Sequence, residues 1–374
     1  ACSLPHGPSV RPGALPRVYV YRFMEEIHSN LVRMHSSRHL FDPWHQQNQF
    51  LSEFAFHRAL LASPLVTTDA SLATLFFVPF YSRMAYSNSS ILREMREALR
   101  TGLNSSPFWR RSSGQDHMFL ISSTRALFQL FGDSLSRLIS ASILLKIELG
   151  DTRHPTSIRR PNHVAVPYFV PWFSRDEESH RTPKRYSVCL EASNNGKLRS
   201  KIFHILRRFP DAYVKEPLDP RRPWRLSRSL LCASRQRMRR CRFCLVPGGL
   251  TPSSRRFYEA IASHCVPIIV SDRFVLPFAP SPNDTSRASL LSSSALASFV
   301  LRLPEAKLDA LPQLIRDASP HHPEMLHALH SYRPAFLYEM PLEGEPPALG
   351  ATCAIVADVT RRFGVRAERN RNPA

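Results

Sequence analysis

Two kinds of apolar pattern alternate along the chain. Short, uninterrupted apolar runs have the length of buried strands, and they predict strands at 18–21, 75–80, 118–121, 164–167, 186–190, 243–247 and 266–270. Stretches in which apolar residues recur every three or four positions predict helices at 47–62, 91–100, 197–208, 255–264, 289–301, 305–318 and 323–332. The alternation of strands and helices predicts an α/β protein with parallel sheets.

Three segments fit neither pattern. Residues 109–117 are polar and contain Gly, which predicts a loop. Residues 217–240 are rich in Arg and Pro, and residues 124–149 mix the signals of helix and strand. For the last two segments, the pattern does not decide between helix, strand and loop.

Changes in composition divide the chain into domains. Residues 1–16 are rich in Pro and Gly and predict a loose N-terminal stem, while the charged residues 174–185 predict a linker. We therefore expect an N-terminal α/β domain over 17–182 and a C-terminal α/β domain over 183–335. The segment 336–374 would follow the second domain and pack back on the first.

The charge of the chain indicates an anionic partner. The 374 residues include 50 Lys and Arg against 30 Asp and Glu, for a formal net charge of +20. Nucleic acid, anionic lipid or an acidic polysaccharide would fit this charge, and so would a compositional bias that spreads Arg over solvated surfaces. The basic residues are scattered, without an RNA-recognition or zinc-finger pattern, so we expect no nucleic-acid partner. No apolar run approaches the roughly 18 residues of a membrane-spanning helix.

Cysteines and glycosylation sequons suggest a compartment. Cys241 and Cys244 are spaced as in many metal sites, but a structural zinc needs a second pair, which the sequence lacks. Disulfides are expected if the compartment is oxidising. Asn-x-Ser/Thr sequons at Asn88, Asn104 and Asn283 lie in segments that read as loops. With a chain that begins at Ala1, these features favour a luminal protein whose membrane anchor has been removed.

The strongest chemical signal follows the strand predicted at 243–247. The turn after that strand contains Gly249 and the hydroxyl residues Thr251, Ser253 and Ser254. A Gly-rich turn before a helix presents free backbone N–H groups, and the N-terminus of the helix carries partial positive charge. The turn therefore predicts an anion-binding site.

The helix that follows adds charged side chains to this site. Arg255 and Arg256 could clamp a diphosphate, and Glu259, one turn later, could accept hydrogen bonds from ribose hydroxyls. This pattern predicts a nucleoside diphosphate site at the carboxyl edge of a parallel sheet. The alternative is an ordinary strand-turn-helix connection with a solvated arginine pair. The chain has no Walker motif and no Gly-x-Gly-x-x-Gly fingerprint, so ATPase and dehydrogenase functions lack support.

Several segments, taken in order, resemble the exostosin family of glycosyltransferases (family 47). The resemblance is carried by residues 18–21, 50–56, 68–81, 108–117, 166–168 and 243–278. It implies the GT-B architecture, in which two Rossmann-like domains face each other across a cleft. It also implies an inverting transferase that moves a sugar from a nucleotide-sugar, usually a UDP-sugar, to a polysaccharide or glycoprotein glycan.

The resemblance also implies a set of working residues. Arg199 matches the family's Gly-x-x-Arg element and would be a second diphosphate ligand, and Asp116 with His117 would orient or deprotonate the acceptor hydroxyl from a loop at the cleft. No cofactor or metal ion would be essential. The expected location is the Golgi lumen, and the protein would contact the membrane only through an anchor. The resemblance does not decide whether the protein forms a homo- or hetero-oligomer.

The chain departs from the family pattern at three places. His264 stands where the family has Gly, residues 189–192 lack the aromatic-Gly strand end, and His163 replaces a frequent Asp. We expect the first two departures to border the donor site. They leave open the alternative of a catalytically degenerate member that binds glycans or acts as a scaffold. Cys244 and Cys265 flank adjacent predicted strands and could pair.

Overall fold

The structure is a computed structural model that describes residues 16–36, 50–149, 160–170, 182–194, 196–216, 228–280, 289–338 and 349–364. In this part of the chain the protein is α/β, with two parallel sheets, as predicted. This is the arrangement expected of a two-domain, Rossmann-like GT-B fold.

The first sheet follows the order of the chain. Its strands are β1 (Val18–Val20), β2 (Leu75–Phe77), β3 (His117–Ile121), β4 (Ile143–Lys146) and β5 (His163–Ala165), and each pairs in parallel with the next. Every residue of β2, β3, β4 and β5 is buried, because helices cover both faces of a parallel sheet. Because the strands are buried on both faces, they appear in the sequence as uninterrupted apolar runs.

The second sheet has a different strand order. Its strands are β6 (Tyr186–Glu191), β7 (Ala212–Lys215), β8 (Cys241–Pro247), β9 (Val266–Val270) and β10 (Leu301–Arg302). The spatial order is β10-β9-β8-β6-β7, and all pairs are parallel. Connections therefore leave β6 and β8 in opposite directions, which makes their boundary a topological switch point. Open α/β sheets bind ligands in the crevice outside the carboxyl ends of such strands.

Helices connect the strands and complete the core. They are α1 (Glu25–Ser36), α2 (Ser52–Leu61), α3 (Ser82–Ala85), α4 (Ser89–Ser105), α5 (Pro107–Ser112), α6 (Leu127–Leu138), α7 (Lys197–Leu206), α8 (Arg228–Arg239), α9 (Arg255–Ala262), α10 (Ser293–Ala297), α11 (Leu311–Ala318), α12 (His322–Phe336) and α13 (Gly350–Phe363). Helix α4 shows the expected period, since its buried residues are Leu92, Met95, Leu99 and Leu103.

Two predicted segments differ in the structure. The loop expected at 109–117 is right only for 113–116, because α5 extends from Pro107 to Ser112 and the hydroxyl of Ser106 accepts a hydrogen bond from the backbone N–H of Trp109. The helix expected at 289–301 is shortened to α10, and the chain then enters β10, which extends the second sheet beside β9. In the first segment the helix cap decides the local structure. In the second segment the pairing with a neighbouring strand decides it.

The sequons are only partly in loops. Asn88 precedes α4 and accepts a hydrogen bond from the backbone N–H of Ile91, so it caps that helix. Asn104 lies in the last turn of α4 and is exposed, so the loop expected there is wrong. Asn283 lies outside the described residues.

Disulfides fasten β8 to its neighbours. Cys189 of β6 is bonded to Cys241, and Cys244 is bonded to Cys265, directly before β9. The second pair is the one that the sequence allowed. Cys353 is also disulfide-bonded, whereas Cys232 of α8 is a free thiol. Disulfides of this kind are typical of oxidising compartments.

The last described helix touches both halves. Helix α13 packs against α2 of the first half and against α12, and nearly all of its residues up to Val359 are buried. Its Asp358 accepts a hydrogen bond from the backbone N–H of Leu290 (2.8 Å) and pairs with Arg362 (2.6 Å). The division of the chain at residues 182 and 335 stays a prediction.

Candidate functional site

The turn after β8 is anchored to the carboxyl edge of the second sheet. The backbone N–H of Gly248 donates to the carbonyl of Val270 (3.0 Å), and the hydroxyl of Ser271 donates to the carbonyl of Pro252 (2.9 Å). A further bond of 3.0 Å joins the N–H of Gly249 to the carbonyl of Thr251. The turn thus stands at the switch point between β6 and β8.

Arg199 crosses the switch point from the other side. It lies on α7, which follows β6, and its Nε and Nη1 donate to the carbonyls of Gly248 and Ser193, both at 3.0 Å. A Cβ atom built on Gly249 would lie 2.8 Å from Nη2 of Arg199, so the absence of a side chain at 249 makes room for the guanidinium. Burial, and then the charge of Arg256, lower the pKa of Arg199. Arg199 therefore contacts the turn that leads into α9, the helix of Arg255 and Arg256.

The start of α9 is held by Glu259. This carboxylate is only 5% exposed and forms ion pairs with Arg255 (2.8 Å) and Arg256 (3.0 Å). Burial opposes its ionisation, but the charges of Arg255, Arg256 and Arg235 outweigh burial and lower the pKa of Glu259 to about 2. The carboxylate expected to bind ribose is therefore ionised and engaged by both arginines. Ser254 caps the helix by accepting from the backbone N–H of Arg256 (3.2 Å).

Sequence reasoning missed a second ion pair at this site. Glu191, at the end of β6, binds Arg237 of α8 through both of its oxygens (2.6 and 3.2 Å). Burial raises the pKa of Glu191, but hydrogen bonds from Arg237 and the charge of Arg256 bring it below its usual value. Arg256 itself donates to the hydroxyl of Ser234 on α8 (3.4 Å). The only sign of this ion pair in the sequence was the cluster of arginines at 235–242, which precedes β8 and the turn.

Together these elements make a strongly basic site. Its guanidinium groups outnumber its carboxylates; the members are Arg199, Arg235, Arg237, Arg255, Arg256, Glu191 and Glu259. The surplus of positive charge at the first turn of α9 suits a ligand that carries several negative charges.

Ser253 has a different partner from the one expected. It is buried, and both its backbone N–H (3.0 Å) and its hydroxyl (2.5 Å) donate to one carboxylate oxygen of Glu148, which follows β4 in the first sheet. The hydroxyl of Tyr168, after β5, lies 3.0 Å from the same Ser253 oxygen. The hydroxyl of Thr251 donates to the Ser253 carbonyl (3.1 Å). Ser253 therefore joins the two halves, and its donors are occupied.

The Asp116 and His117 pair is not at the cleft. His117 begins β3 and so lies at the amino edge of the first sheet, fully buried against Phe76 (ring centroids 4.7 Å apart). Its Nδ1 bonds Asp116 (2.8 Å) and its Nε2 lies 3.0 Å from the hydroxyl of Tyr21. Asp116 does lie in a turn, but at the amino edge of the sheet rather than at the carboxyl edge, and these contacts do not support a role at the acceptor hydroxyl.

One departure from the family pattern is also remote from the site. His264 precedes β9, at the amino edge of the second sheet, and does not border the switch point. It is fully buried, stacks on His330 and has a φ of 50°. That left-handed conformation is one that Gly adopts without cost, which explains the family preference.

Within the described ranges, no group of three or more His, Cys, Asp or Glu side chains could hold a metal ion. In the same part of the chain, no helix combines the length and the apolar character needed to cross a bilayer.

The architecture and the basic turn fall within the region that a known family model matches. The family model of the exostosin GT47 domain matches residues 13–306, which contain both sheets and the turn after β8. This chain belongs to the exostosin GT47 family. The resemblance expected from its motifs is therefore confirmed, and the basic site after β8 lies inside the exostosin GT47 domain.

Curated relatives carry similar sequences. A probable glucuronoxylan glucuronosyltransferase of Arabidopsis thaliana is 31% identical over 247 residues, which cover 61% of this exostosin chain and 52% of the relative. A probable arabinosyltransferase of the same plant is 30% identical over 235 residues (58% and 49%). A probable glucuronosyltransferase of Oryza sativa subsp. japonica is 29% identical over 289 residues (70% and 63%). The chain thus spans about half the length of the first two relatives.

Among solved structures, a UDP-N-acetylglucosamine 2-epimerase matches with a TM-score of 0.33 and 10% identity, over 87% of this exostosin chain and 96% of the epimerase. A likeness this low carries no weight for fold or function.

Proposed function

We propose that this exostosin GT47 protein is a glycosyltransferase that moves a sugar from a UDP-sugar to a glycan or polysaccharide acceptor with inversion of configuration. The observation that carries the proposal is the placement of two guanidinium groups on the turn after β8: Arg199 donates to the carbonyl of Gly248, and Arg256 lies in the first turn of α9, directly after the turn. This position and this chemistry suit the diphosphate of a nucleotide-sugar.

The proposed transfer creates charge where the arginines lie. As the acceptor oxygen bonds to the anomeric carbon, the bond from that carbon to the diphosphate oxygen breaks, and negative charge grows on the leaving diphosphate. Arg199, Arg256 and the N-terminus of α9 would stabilise that charge. Glu259 would fix the two arginines of α9 through its ion pairs. The acceptor would approach from the first sheet, whose carboxyl edge meets the turn at Glu148.

The names of the relatives suggest the first donors to test. They are printed as glucuronosyl-, arabinosyl- and xylosyltransferases, so UDP-glucuronate, UDP-arabinose and UDP-xylose come first. UDP-galactose and UDP-N-acetylglucosamine complete the panel. We further propose a Golgi-luminal location and a membrane anchor; the two disulfides of the second sheet support the luminal location, because disulfides persist in oxidising compartments.

The first experiment is a thermal-shift titration of the protein with these UDP-sugars, followed by measurement of UDP release with glycan acceptors. A donor that binds only the folded state must raise its apparent stability. Arg256→Ala should weaken donor binding about tenfold or more, because a charge-assisted pair is lost. Arg208→Ala is the matched control, since it removes an exposed arginine from the same half.

Three outcomes would contradict the proposal. Absence of any UDP-sugar binding would remove the donor site. Binding without UDP release, on a broad acceptor panel, would favour a glycan-binding or scaffolding member of the family. Equal effects of Arg256→Ala and Arg208→Ala would show that binding depends on overall charge rather than on this site.

A further inference from the structure

One buried carboxylate holds together the loops that follow β2 and β3. Glu53 of α2 is 2% exposed and accepts hydrogen bonds from the hydroxyl of Ser82 (2.7 Å), the backbone N–H of Arg83 (3.3 Å) and the backbone N–H of Ser122 (3.0 Å). Both loops leave the carboxyl edge of the first sheet. At the same edge, Glu148 bonds Ser253 in the turn after β8. They therefore form a fixed platform on the acceptor side.

Two guanidinium groups lie on this platform. Arg83 stacks on the ring of Phe50 (4.7 Å to the centroid), and Arg125 stacks on the ring of Tyr86 (4.0 Å). Tyr86 directly follows α3, the short helix that contains Arg83, so Arg125 lies beside the same helix as Arg83. Burial and the charge of Arg125 lower the pKa of Arg83, whereas the charge of Glu53 acts in the opposite direction. Within the described ranges, neither guanidinium donates a hydrogen bond or forms an ion pair.

This arrangement is typical of an anion site. Two like charges held side by side repel each other, and an anion between them would remove that cost. The aromatic rings restrict the arginine side chains, so less conformational freedom is lost when the N–H donors meet a ligand. Phe128, three residues after Arg125, is 44% exposed and offers an apolar ring to the C–H face of a sugar.

We propose that Arg83 and Arg125 bind the carboxylate of a uronic acid residue in the acceptor saccharide. The inference rests on the proposed transferase function, which assigns the diphosphate to Arg199 and Arg256 on the other half. A carboxylate fits the planar fork of an arginine through two hydrogen bonds, and it is the charged group that an unmodified acidic saccharide carries.

The test is calorimetric titration of the full chain at one low ionic strength. The ligands are an oligogalacturonate of four residues, a neutral cello-oligosaccharide of equal length, inorganic phosphate and UDP-glucuronate. Arg125→Gln is the main variant, because Arg125 is exposed and its loss leaves the core intact. Arg110→Gln is the matched control, since Arg110 is an exposed arginine of α5, at the opposite edge of the same sheet. Arg83→Gln is the second variant.

We expect Arg125→Gln and Arg83→Gln each to weaken oligogalacturonate binding about tenfold, with no change for the neutral oligosaccharide. Arg110→Gln should match the wild type. Equal weakening by all three variants would overturn the site, and so would wild-type affinity in Arg125→Gln. Inorganic phosphate that competes as well as the oligouronate would overturn the carboxylate assignment. If only UDP-glucuronate depends on Arg125, the carboxylate belongs to the donor and the acceptor assignment fails.

The outcome is separable from that of the proposed function, because these titrations require no turnover. Oligouronate binding through Arg125 in a protein that binds no nucleotide-sugar would contradict the transferase proposal alone. UDP release with no dependence of acceptor binding on Arg125 would contradict this inference alone.

Discussion

Glu148 and Ser253 join the two halves of the molecule through one carboxylate oxygen, which accepts both the backbone N–H (3.0 Å) and the hydroxyl (2.5 Å) of Ser253. Glu148 follows a strand of the first sheet, whereas Ser253 stands in the basic turn of the second. The shape of the turn is therefore fixed in part by a residue of the first half.

This pair predicts a positioning role for Glu148. Glu148→Ala should raise the KM for the donor about tenfold, because the turn loses two hydrogen bonds, at least one of them charge-assisted. Glu148→Gln should recover most of the loss, since an amide oxygen can accept from the same two donors. Steady-state kinetics with varied donor concentration measure the effect. Asp358→Asn is the control, because that carboxylate is equally buried but lies in α13; a rise in donor KM in this variant would show that general destabilisation suffices.

The close approach of Gly249 and Arg199 predicts a specific loss of donor binding. In Gly249→Ala the new methyl group would meet the end of the Arg199 side chain, 2.8 Å away, and displace the guanidinium. The fold should keep its stability within about 1 kcal/mol, because a flexible side chain moves rather than the backbone. Donor affinity should fall about tenfold, as measured by titration.

A double-mutant cycle checks this explanation. Once Arg199→Ala has removed the guanidinium, adding Gly249→Ala should not lower the donor affinity any further. Additive losses would mean that the methyl group acts on the donor directly.

Glu53 predicts a pH-dependent contribution to stability. Burial raises the pKa of Glu53 from 4.5 to about 7, although its hydrogen bonds from Ser82 and Ser122 act in the opposite direction. The folded state thus favours the protonated carboxyl, so this stability is fully present below pH 4.5 and is lost as the pH rises to about 7. The change amounts to about 3 kcal/mol.

The measurement is urea unfolding at several pH values for the wild type and for Glu53→Gln, which cannot ionise. The difference in unfolding free energy between the two proteins should shift in favour of the variant from pH 4.5 to 7 and stay constant above. His28, which is buried, and His57, which is half-buried, have pKa values lowered to about 3 and about 4 by desolvation, and they act on both proteins alike. A pH-independent difference would contradict the role assigned to Glu53.

Glu259 predicts the opposite dependence. Its pKa lies at about 2, so its stabilising ion pairs are present above pH 4.5 and are lost as the pH falls toward 2. Glu259→Gln should therefore be less stable than the wild type at neutral pH, and the gap should narrow on acidification. It should also bind the donor more weakly, because Arg255 and Arg256 lose their common partner. Chemical denaturation and donor titration provide the two readouts, and an unchanged donor affinity would argue against this role.

The sequence predicted the parts of the site that lie close together along the chain. The strand, the turn and the helix from β8 to α9 follow from local apolar runs and a Gly-containing turn, so Arg255, Arg256 and Glu259 were found together. Arg199 required the family resemblance, since nothing in its local pattern connects it with a turn some fifty residues away.

Contacts between distant segments could not be predicted. Glu191 and Arg237 are 46 residues apart, and Glu148 and Ser253 are 105 apart, so no period or motif joins them. The predicted position of Asp116 and His117 at the cleft was wrong for another reason. Their adjacency in the sequence does not tell which edge of a sheet they occupy. Only the strand that His117 begins places it at the amino edge, away from the carboxyl ends.

The disulfides of the second sheet also restrict how the protein can move. With β8 covalently tied to β6 and to the start of β9, these strands cannot slide past one another without breaking a covalent bond. A hinge motion that opened the two halves would break the hydrogen bonds of Ser253 with Glu148 and Tyr168, and it would also have to move α13, which contacts both halves.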